Sequence, residues 1–208
     1  MRITVVGATG MVGSRVLREA LNRGHHVTAV FRSQPPATLP PAVIAARGDA
    51  MDANQMKNLF ADADAIVGAT RPAPGAENTV TATTHALLDA AAATGIRILL
   101  VGGSAPLLSP SGGLVLDDPR YVPPAVRDIA AASAAQLDVC RTHAADWVYL
   151  SPPALLEPGV RTGGYRRGGA TLMVAPDGSS RISAEDLAVA AVDEVERPGG
   201  DRHFTVGY

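Results

Sequence analysis

A glycine pattern near the beginning of the chain constrains the fold more than any other feature. Residues 5–13 read VVGATGMVG, with glycines at positions 7, 10 and 13. The β-branched run Ile3 to Val6 precedes the pattern, and apolar residues at helical spacing follow from Met11 onward. A strand, a glycine turn and a helix in this order are typical of a loop that binds a dinucleotide diphosphate, because bare amides at a helix start face the anion. A purely structural strand-to-helix turn is the alternative.

The same alternation of strands and helices continues along the chain. We predict strands at 26–31, 42–47, 64–69, 96–101 and 146–150, and helices at 52–60, 77–94 and 125–143. Residues 171–175 and 204–206 form short apolar segments that flank a further helix, which Ser183 caps. The pattern predicts one α/β domain over residues 1–208, built on a doubly wound parallel sheet, with a small substrate-side region at about 151–208.

The composition limits the classes of partner and the cellular compartment that we expect for this protein. A formal net charge of -2 over 208 residues gives no electrostatic reason to expect nucleic acid or an anionic membrane as a partner. No segment approaches the roughly 18 consecutive apolar residues of a membrane span. Cys140 is the single cysteine, so an intrachain disulfide and a Cys/His zinc site are both excluded. We therefore expect a cytoplasmic protein without a bound metal, present as a monomer or a weak dimer.

Several stretches beyond the glycine pattern match a known family. They are VFRS at 30–33, GDAMD at 48–52, LLVGGSAPL at 99–107, DWVYLSPPALLEPGVRTGGYR at 146–166 and GSSRISAEDLAVAAVDEVERP at 178–198. Together with VVGATGMVG they resemble the atypical branch of the short-chain dehydrogenase/reductase superfamily. The likeness is greatest to the NAD(P)H-binding family often described as NADH-flavin reductases, related to biliverdin reductase B and the NmrA-like proteins. It covers nearly the whole chain and implies an NAD(P)-binding Rossmann fold.

The residue after the second predicted strand favours NADP over NAD. NAD-specific sites normally place Asp or Glu there to bind the ribose hydroxyls, whereas this chain has Arg32 followed by Ser33. A guanidinium can hold a 2′-phosphate through two hydrogen bonds and stack on adenine. A surface arginine at the start of a loop is the alternative.

The remaining cofactor contacts are predicted from the glycine pattern, the strand ends and the family resemblance. The full set is Gly7, Thr9, Gly10, Met11, Val12, Gly13, Arg32, Ser33, Asp49, Ala50, Ala69, Thr70, Arg71, Gly102, Gly103, Pro152, Pro153 and Ala154. Three of these assignments have a plain alternative: Asp49 as a turn residue, Arg71 as a solvated loop arginine, and the two prolines as a stiffened turn.

The chain lacks the catalytic pair used by most of the superfamily. In a Tyr-x-x-x-Lys pair the ammonium lowers the pKa of the phenol, which then exchanges a proton with a carbonyl or an alcohol. The sole lysine, Lys57, follows Ala53 at that spacing, and no tyrosine has a lysine four residues later. Flavins and quinones stay open as acceptors because they accept a hydride and collect protons from water. Ser104 is the one candidate for a catalytic polar group.

Four residues are predicted to contact the acceptor. Arg161, Tyr165 and Arg166 belong to the stretch RTGGYR, where an arginine can bind a flavin phosphate and the tyrosine can stack on a flat ring; Tyr121 lies in the long segment 102–124. A solvated glycine-rich surface loop is the alternative for RTGGYR.

These observations predict an NADPH-dependent reductase of a small aromatic acceptor. A flavin would enter as a substrate rather than as a tightly bound cofactor. A non-catalytic NADP-binding redox sensor or regulator of the NmrA type is the alternative. A dinucleotide-dependent isomerase or epimerase is disfavoured because the Tyr/Lys pair is missing.

Overall fold

The computed structural model describes residues 1–208 and contains ten strands and five helices. The strands are β1 (Arg2–Val6), β2 (His26–Phe31), β3 (Val43–Arg47), β4 (Ala65–Gly68), β5 (Ile98–Val101), β6 (Trp147–Ser151), β7 (Leu155–Glu157), β8 (Arg166–Gly168), β9 (Arg181–Ser183) and β10 (His203–Gly207). The helices are α1 (Met11–Asn22), α2 (Ala53–Phe60), α3 (Thr79–Thr94), α4 (Arg127–Thr142) and α5 (Ala184–Glu196).

The main sheet has eight strands in the order β3-β2-β1-β4-β5-β6-β10-β8. Every neighbouring pair is parallel except β10 and β8, which are antiparallel. The order reverses between β1 and β4, and in such sheets ligands bind outside the carboxyl ends of the strands at this reversal. The predicted doubly wound α/β sheet is confirmed, and the glycine turn after β1 lies at the reversal.

Side chains cap two of the five α-helices, α2 and α5, at the predicted residues. The Asp52 carboxylate accepts hydrogen bonds from the first amides of α2, and the Ser183 hydroxyl accepts one from the Asp186 amide in α5. Gly95 ends α3 in a left-handed conformation. No side chain caps the first turn of α1, α3 or α4. No helix combines the length and the apolar character that a transmembrane span requires.

Two hydrophobic clusters cover the two faces of the sheet. Val5, Val148 and Phe204 belong to the cluster that packs against α1 and α5, whereas Val6 and Leu100 belong to the cluster under α2, α3 and α4. Successive residues of one strand therefore enter different clusters. This is the reason the central strands are continuously apolar in the sequence.

The region after β6 differs from the prediction. The predicted short apolar segment 171–175 forms one β-bridge, between Leu108 and Thr171. Within this segment, Leu172 is buried in a third, small cluster with Leu107, Val115 and Val122. The extra strands are β7, β8 and β9, which the sequence did not reveal. Strand β8 has the sequence RRG and lies at the edge of the main sheet, where polar side chains face solvent.

Candidate dinucleotide site

The glycine turn brings β1, α1 and the end of β4 into direct contact. Gly7 has a φ of +85°, and a Cβ on it would overlap the carbonyl of Ala69. A Cβ on Gly13 would overlap the Gly7 carbonyl, so α1 can approach the strand only because Gly13 has no side chain. At Gly10 a Cβ would lie 3.2 Å from the Gly7 oxygen, a much milder contact.

The first turn of α1 leaves three amides without an acceptor. The Gly10 amide donates to the Gly7 carbonyl at 3.0 Å, and the Ser14 amide donates to the Gly10 carbonyl at 3.0 Å. Between them, the amides of Met11, Val12 and Gly13 have no partner in the protein. The first turn also contains no acidic residue. This set of donors at the positive end of a helix fits the diphosphate of a dinucleotide.

Arg32 directly follows the last residue of β2. Its side chain is exposed and forms neither an ion pair nor a hydrogen bond within the protein, and the neighbouring Ser33 is exposed as well. The Gly48 amide donates to the Phe31 carbonyl at 3.0 Å, which holds the ends of β2 and β3 together. A guanidinium free to move beside these strand ends fits the 2′-phosphate of NADP.

Asp49 forms a turn, as the plain alternative for this residue predicted. Its carboxylate accepts a hydrogen bond from the Met51 amide at 3.0 Å, and its carbonyl accepts one from Asp52. Ala50 packs on the cluster under α2 and α3. Contact of Asp49 and Ala50 with adenine stays a prediction.

The segment after β4 supplies a second free guanidinium. The Ala69 amide donates to the Val6 carbonyl at 2.9 Å, which fixes the start of this segment beside the glycine turn. Thr70 follows and is half-buried, and Arg71 is exposed without a carboxylate partner. The structure therefore brings Ala69, Thr70 and Gly7 together.

Tyr149 determines the position of the backbone at the end of β5. Its side chain is fully buried, and a Cβ on Gly102 would overlap its hydroxyl. The phenol oxygen lies 2.9 Å from the Ser133 carbonyl and 3.1 Å from Gln136 Oε1, both acceptors on α4. Burial raises the pKa of the Tyr149 phenol far above its usual range. This tyrosine stays protonated and links α4 to the Gly102–Gly103 turn.

Ser104 and the prolines after β6 occupy neighbouring strand ends. The Gly102 amide donates to the Leu150 carbonyl at 3.0 Å, which connects β5 to β6 at this edge. The Ser104 hydroxyl forms no hydrogen bond within the protein and is half-buried. Pro152 and Pro153 are buried, and the Ala154 amide donates to Ser180 Oγ at 3.2 Å. The free hydroxyl is available to a ligand.

The stretch RTGGYR is tied to two helices. Arg161 makes two hydrogen bonds to the Glu19 carboxylate of α1, at 2.7 and 2.8 Å, and these bonds hold the pKa of Glu19 below its usual value. The Tyr165 hydroxyl donates to Asp193 of α5 at 2.6 Å. Arg166 donates to the carbonyl of Tyr208. An acceptor would have to displace these contacts, and the predicted acceptor roles of the three residues stay predictions.

Tyr121 has different surroundings. It packs on the small cluster of Leu107, Val115, Val122 and Leu172, and Ala154 packs on the same cluster. The structure thus joins the long segment after β5 to the residues after β6. Neither Ser133 nor the packing role of Tyr149 was predicted from the sequence. No local motif marks a contact between a helix and a turn some 30 residues apart.

The sheet reversal, the glycine turn and the free amides of α1 define a Rossmann-type NAD(P)-binding protein. The model of the NAD(P)H-binding family matches residues 7–198 of the chain. The chain belongs to this family. The resemblance to the atypical short-chain dehydrogenases/reductases is thereby confirmed.

Solved structures of similar proteins share the whole fold. A protein from Bacteroides thetaiotaomicron is 33% identical, with a TM-score of 0.90 and coverage of 100% of this chain and 96% of that one. One from Burkholderia pseudomallei is 35% identical, with a TM-score of 0.87 and full coverage of both chains. One from Streptococcus pneumoniae is 27% identical, with a TM-score of 0.89 and coverage of 100% and 99%. They are described, in turn, as a "putative epimerase", a "putative exported protein" and a "putative NADH-flavin reductase".

The cytoplasmic location expected for this chain stays a prediction.

Proposed function

We propose that this protein is an NAD(P)H-dependent oxidoreductase that uses NADPH to reduce a flavin, a quinone or a similar aromatic acceptor. The observation that carries the proposal is the set of three unpartnered amides at Met11, Val12 and Gly13, beside the unpaired Arg32. The similar protein from Streptococcus pneumoniae, described as a "putative NADH-flavin reductase", supports the choice of reaction.

Each part of the cofactor has a matching part of the site. The amides of α1 would hold the diphosphate, and Arg32 with Ser33 would bind the 2′-phosphate. Thr70 and Arg71, beside the glycine turn, would bind the ribose or the diphosphate. The nicotinamide end would lie among the strand ends that carry Gly102, Gly103, Ser104, Pro152, Pro153 and Ala154.

The protein contributes alignment rather than proton transfer. When bound, NADPH supplies a hydride, which is two electrons and one proton, and the acceptor takes one further proton from water as NADP⁺ forms. Tyr149 cannot serve as the acid, because its hydroxyl is buried and already shared by acceptors on α4. Burial and the Asp193 carboxylate raise the pKa of Tyr165 above its usual range, so this phenol stays protonated within the protein. The site therefore acts by holding two flat rings at reactive distance and by excluding water between them.

Ser104 is the polar group best placed to contact a ring. Its hydroxyl is free, and it follows Gly102 and Gly103 at the end of β5. We assign it a hydrogen bond to the nicotinamide or to the acceptor. In a Ser104→Ala variant, either the affinity for the cofactor or the rate of turnover should therefore fall.

The test has two stages. Calorimetric titration with NADPH and with NADH measures cofactor binding. Oxidation of NADPH in the presence of flavins and quinones measures turnover. We expect tight NADPH binding and steady oxidation with at least one of these acceptors. Tight binding without turnover against the whole panel would contradict the oxidoreductase and favour a non-catalytic NADP-binding redox sensor of the NmrA type.

A further inference from the structure

The ends of β2 and β3 bring a second arginine beside Arg32. The two strands are parallel, and Phe31, the last residue of β2, is the register partner of Arg47, the last residue of β3. The Gly48 amide donates to the Phe31 carbonyl at 3.0 Å, so the chain directly after β3 stays bonded to the end of β2. Because neighbouring strands lie about 4.8 Å apart, the backbones of Arg32 and Arg47 lie side by side at the carboxyl edge of the sheet.

Arg47 lies on the face of the sheet that the chain after Arg32 covers. Its register partner Phe31 belongs to the cluster that packs against α1 and α5, and register partners on adjacent strands lie on the same face. Leu39, in the connection between β2 and β3, packs on this cluster as well. The connection that begins at Arg32 therefore passes over the face on which Arg47 lies.

Neither guanidinium is neutralised within the protein. Arg32 and Arg47 are both exposed, and neither side chain forms an ion pair or a hydrogen bond. The acidic residues that follow β3 accept backbone hydrogen bonds instead. Asp49 accepts one from the Met51 amide, and Asp52 accepts those of the first turn of α2. The two positive charges at this edge are thus left without a counter-charge from the chain.

Most arginines of the chain are paired with a carboxylate or a carbonyl. The side chains that form no such contact are those of Arg18, Arg32, Arg47, Arg71 and Arg181. Among them only Arg32 and Arg47 lie at the ends of neighbouring strands. Two like charges side by side repel one another, and an anion bound between them relieves this repulsion.

We propose that Arg47 is a second binding residue for the 2′-phosphate of NADPH, which lies between the guanidinium groups of Arg32 and Arg47. The inference rests on the proposed function and adds to it a residue that determines cofactor specificity. A phosphate monoester carries a charge of about −1.5 to −2 at neutral pH and offers three acceptor oxygens. It therefore matches two planar guanidinium groups, whereas the corresponding ribose hydroxyl of NADH carries no charge.

Calorimetric titration of Arg47→Ala with NADPH and with NADH tests the proposal without turnover. NADPH affinity should fall about tenfold, because a charged hydrogen-bonded contact is lost, whereas NADH affinity should change by less than about twofold. Arg47→Lys keeps the charge without the planar group, so its NADPH affinity should lie between those of Arg47→Ala and the wild type.

Arg18→Ala is the matched control, because Arg18 is also exposed and unpaired but lies on α1. It removes one positive charge and should leave the affinities for both dinucleotides unchanged. A ratio of NADPH to NADH affinity that stays at the wild-type value in Arg47→Ala would overturn the proposal. An equal fall of this ratio in Arg18→Ala would overturn it too, because any positive charge would then have the same effect.

The nucleotide 2′,5′-ADP isolates the adenosine end of the cofactor, since it carries the 2′-phosphate but neither a nicotinamide nor a diphosphate bridge. Arg32→Ala and Arg47→Ala should each weaken its binding by about tenfold. A variant with both substitutions should bind NADPH and NADH with equal affinity. Wild-type affinity of Arg47→Ala for 2′,5′-ADP, or a remaining NADPH preference in the double variant as large as that in Arg32→Ala, would contradict the role of Arg47.

Failure of the proposed function gives a different result from failure of this inference. If the wild-type protein binds neither dinucleotide, or binds NADPH no more tightly than NADH, the proposed cofactor is contradicted together with the role of Arg47. If the wild type prefers NADPH and Arg32→Ala lowers that preference while Arg47→Ala does not, only the role of Arg47 is contradicted.

Discussion

The hydroxyl of Tyr149 occupies the space that a side chain on Gly102 would need. This contact joins a buried residue of β6 to the turn after β5, where the nicotinamide is proposed to bind. The same hydroxyl lies within hydrogen-bonding distance of the Ser133 carbonyl. One phenol therefore sets the distance between α4 and the carboxyl ends of two strands.

Replacing Gly102 by alanine should destabilise the fold. The added methyl group meets a fully buried ring that is held by α4, so overpacking should lower the free energy of unfolding by about 1–3 kcal/mol. Urea denaturation measures this change. Gly169→Ala is the control, because a Cβ on Gly169 meets no atom within 4 Å. Equal effects of the two variants would contradict the proposed packing.

Gly13 and Gly10 should respond differently to the same substitution. Gly13→Ala forces a methyl group against the backbone of Gly7 and should lower the free energy of unfolding by about 2–3 kcal/mol. Gly10→Ala meets that carbonyl at 3.2 Å and should stay folded. Its methyl group stands at the start of α1, so affinity for NADPH and NADH should fall by a similar factor. Calorimetric titration of Gly10→Ala with both dinucleotides tests this, and unchanged affinities would contradict it.

Arg32→Asp should separate the two cofactors. The guanidinium is free to bind a 2′-phosphate, and a charged hydrogen bond of this kind contributes about 1.5–3 kcal/mol. NADPH affinity should therefore fall by about tenfold to a hundredfold, whereas NADH affinity should change little. Arg18→Asp is the matched control, because Arg18 is also exposed and unpaired but lies on α1. Equal losses for NADPH and NADH in Arg32→Asp would remove the argument for NADP.

His203 should make stability depend on pH. Its Nε2 lies 3.0 Å from Ser151 Oγ, and burial lowers the pKa of the imidazole to about 4. Between pH 6.5 and 4 the unfolded chain binds a proton that the folded protein does not bind. The stabilisation is thus fully present above about pH 6.5 and is lost as the pH falls towards 4.

The contribution of His203 should be about 1–2 kcal/mol, because the ring stays in partial contact with solvent and is partly screened. In His203→Gln the slope of unfolding free energy between pH 6.5 and 4 should become shallower. The same substitution at the exposed His85 is the control. An unchanged slope in His203→Gln would show that the imidazole titrates normally.

Local features of the sequence were sufficient to predict the strand, turn and helix around the three glycines. The turn at Gly7 and the start of α1 depend on residues within one short segment, so their spacing can be read directly. The position of Arg32 directly after β2 could be predicted because the end of this strand is fixed by its β-branched run. The Asp52 and Ser183 caps are local as well.

The contacts of the residues proposed to bind the acceptor involve distant segments and could not be predicted in the same way. Arg161 and Glu19 are 142 residues apart, and only the packing of the loop before β8 against α1 shows that this arginine is already paired. Strand β8 lacks an apolar pattern because it lies at a sheet edge. In the segment 171–175 the apolar character reflects the burial of Leu172 in the small cluster.

The proposed function requires that the amides of Met11, Val12 and Gly13 hold the diphosphate of NADPH. Titration of ¹⁵N-labelled protein with NADPH, followed through the amide resonances, tests this most directly. We predict that these three amides shift most and that they saturate together with the calorimetric binding curve. Saturable binding that leaves these three resonances in place would contradict the claim.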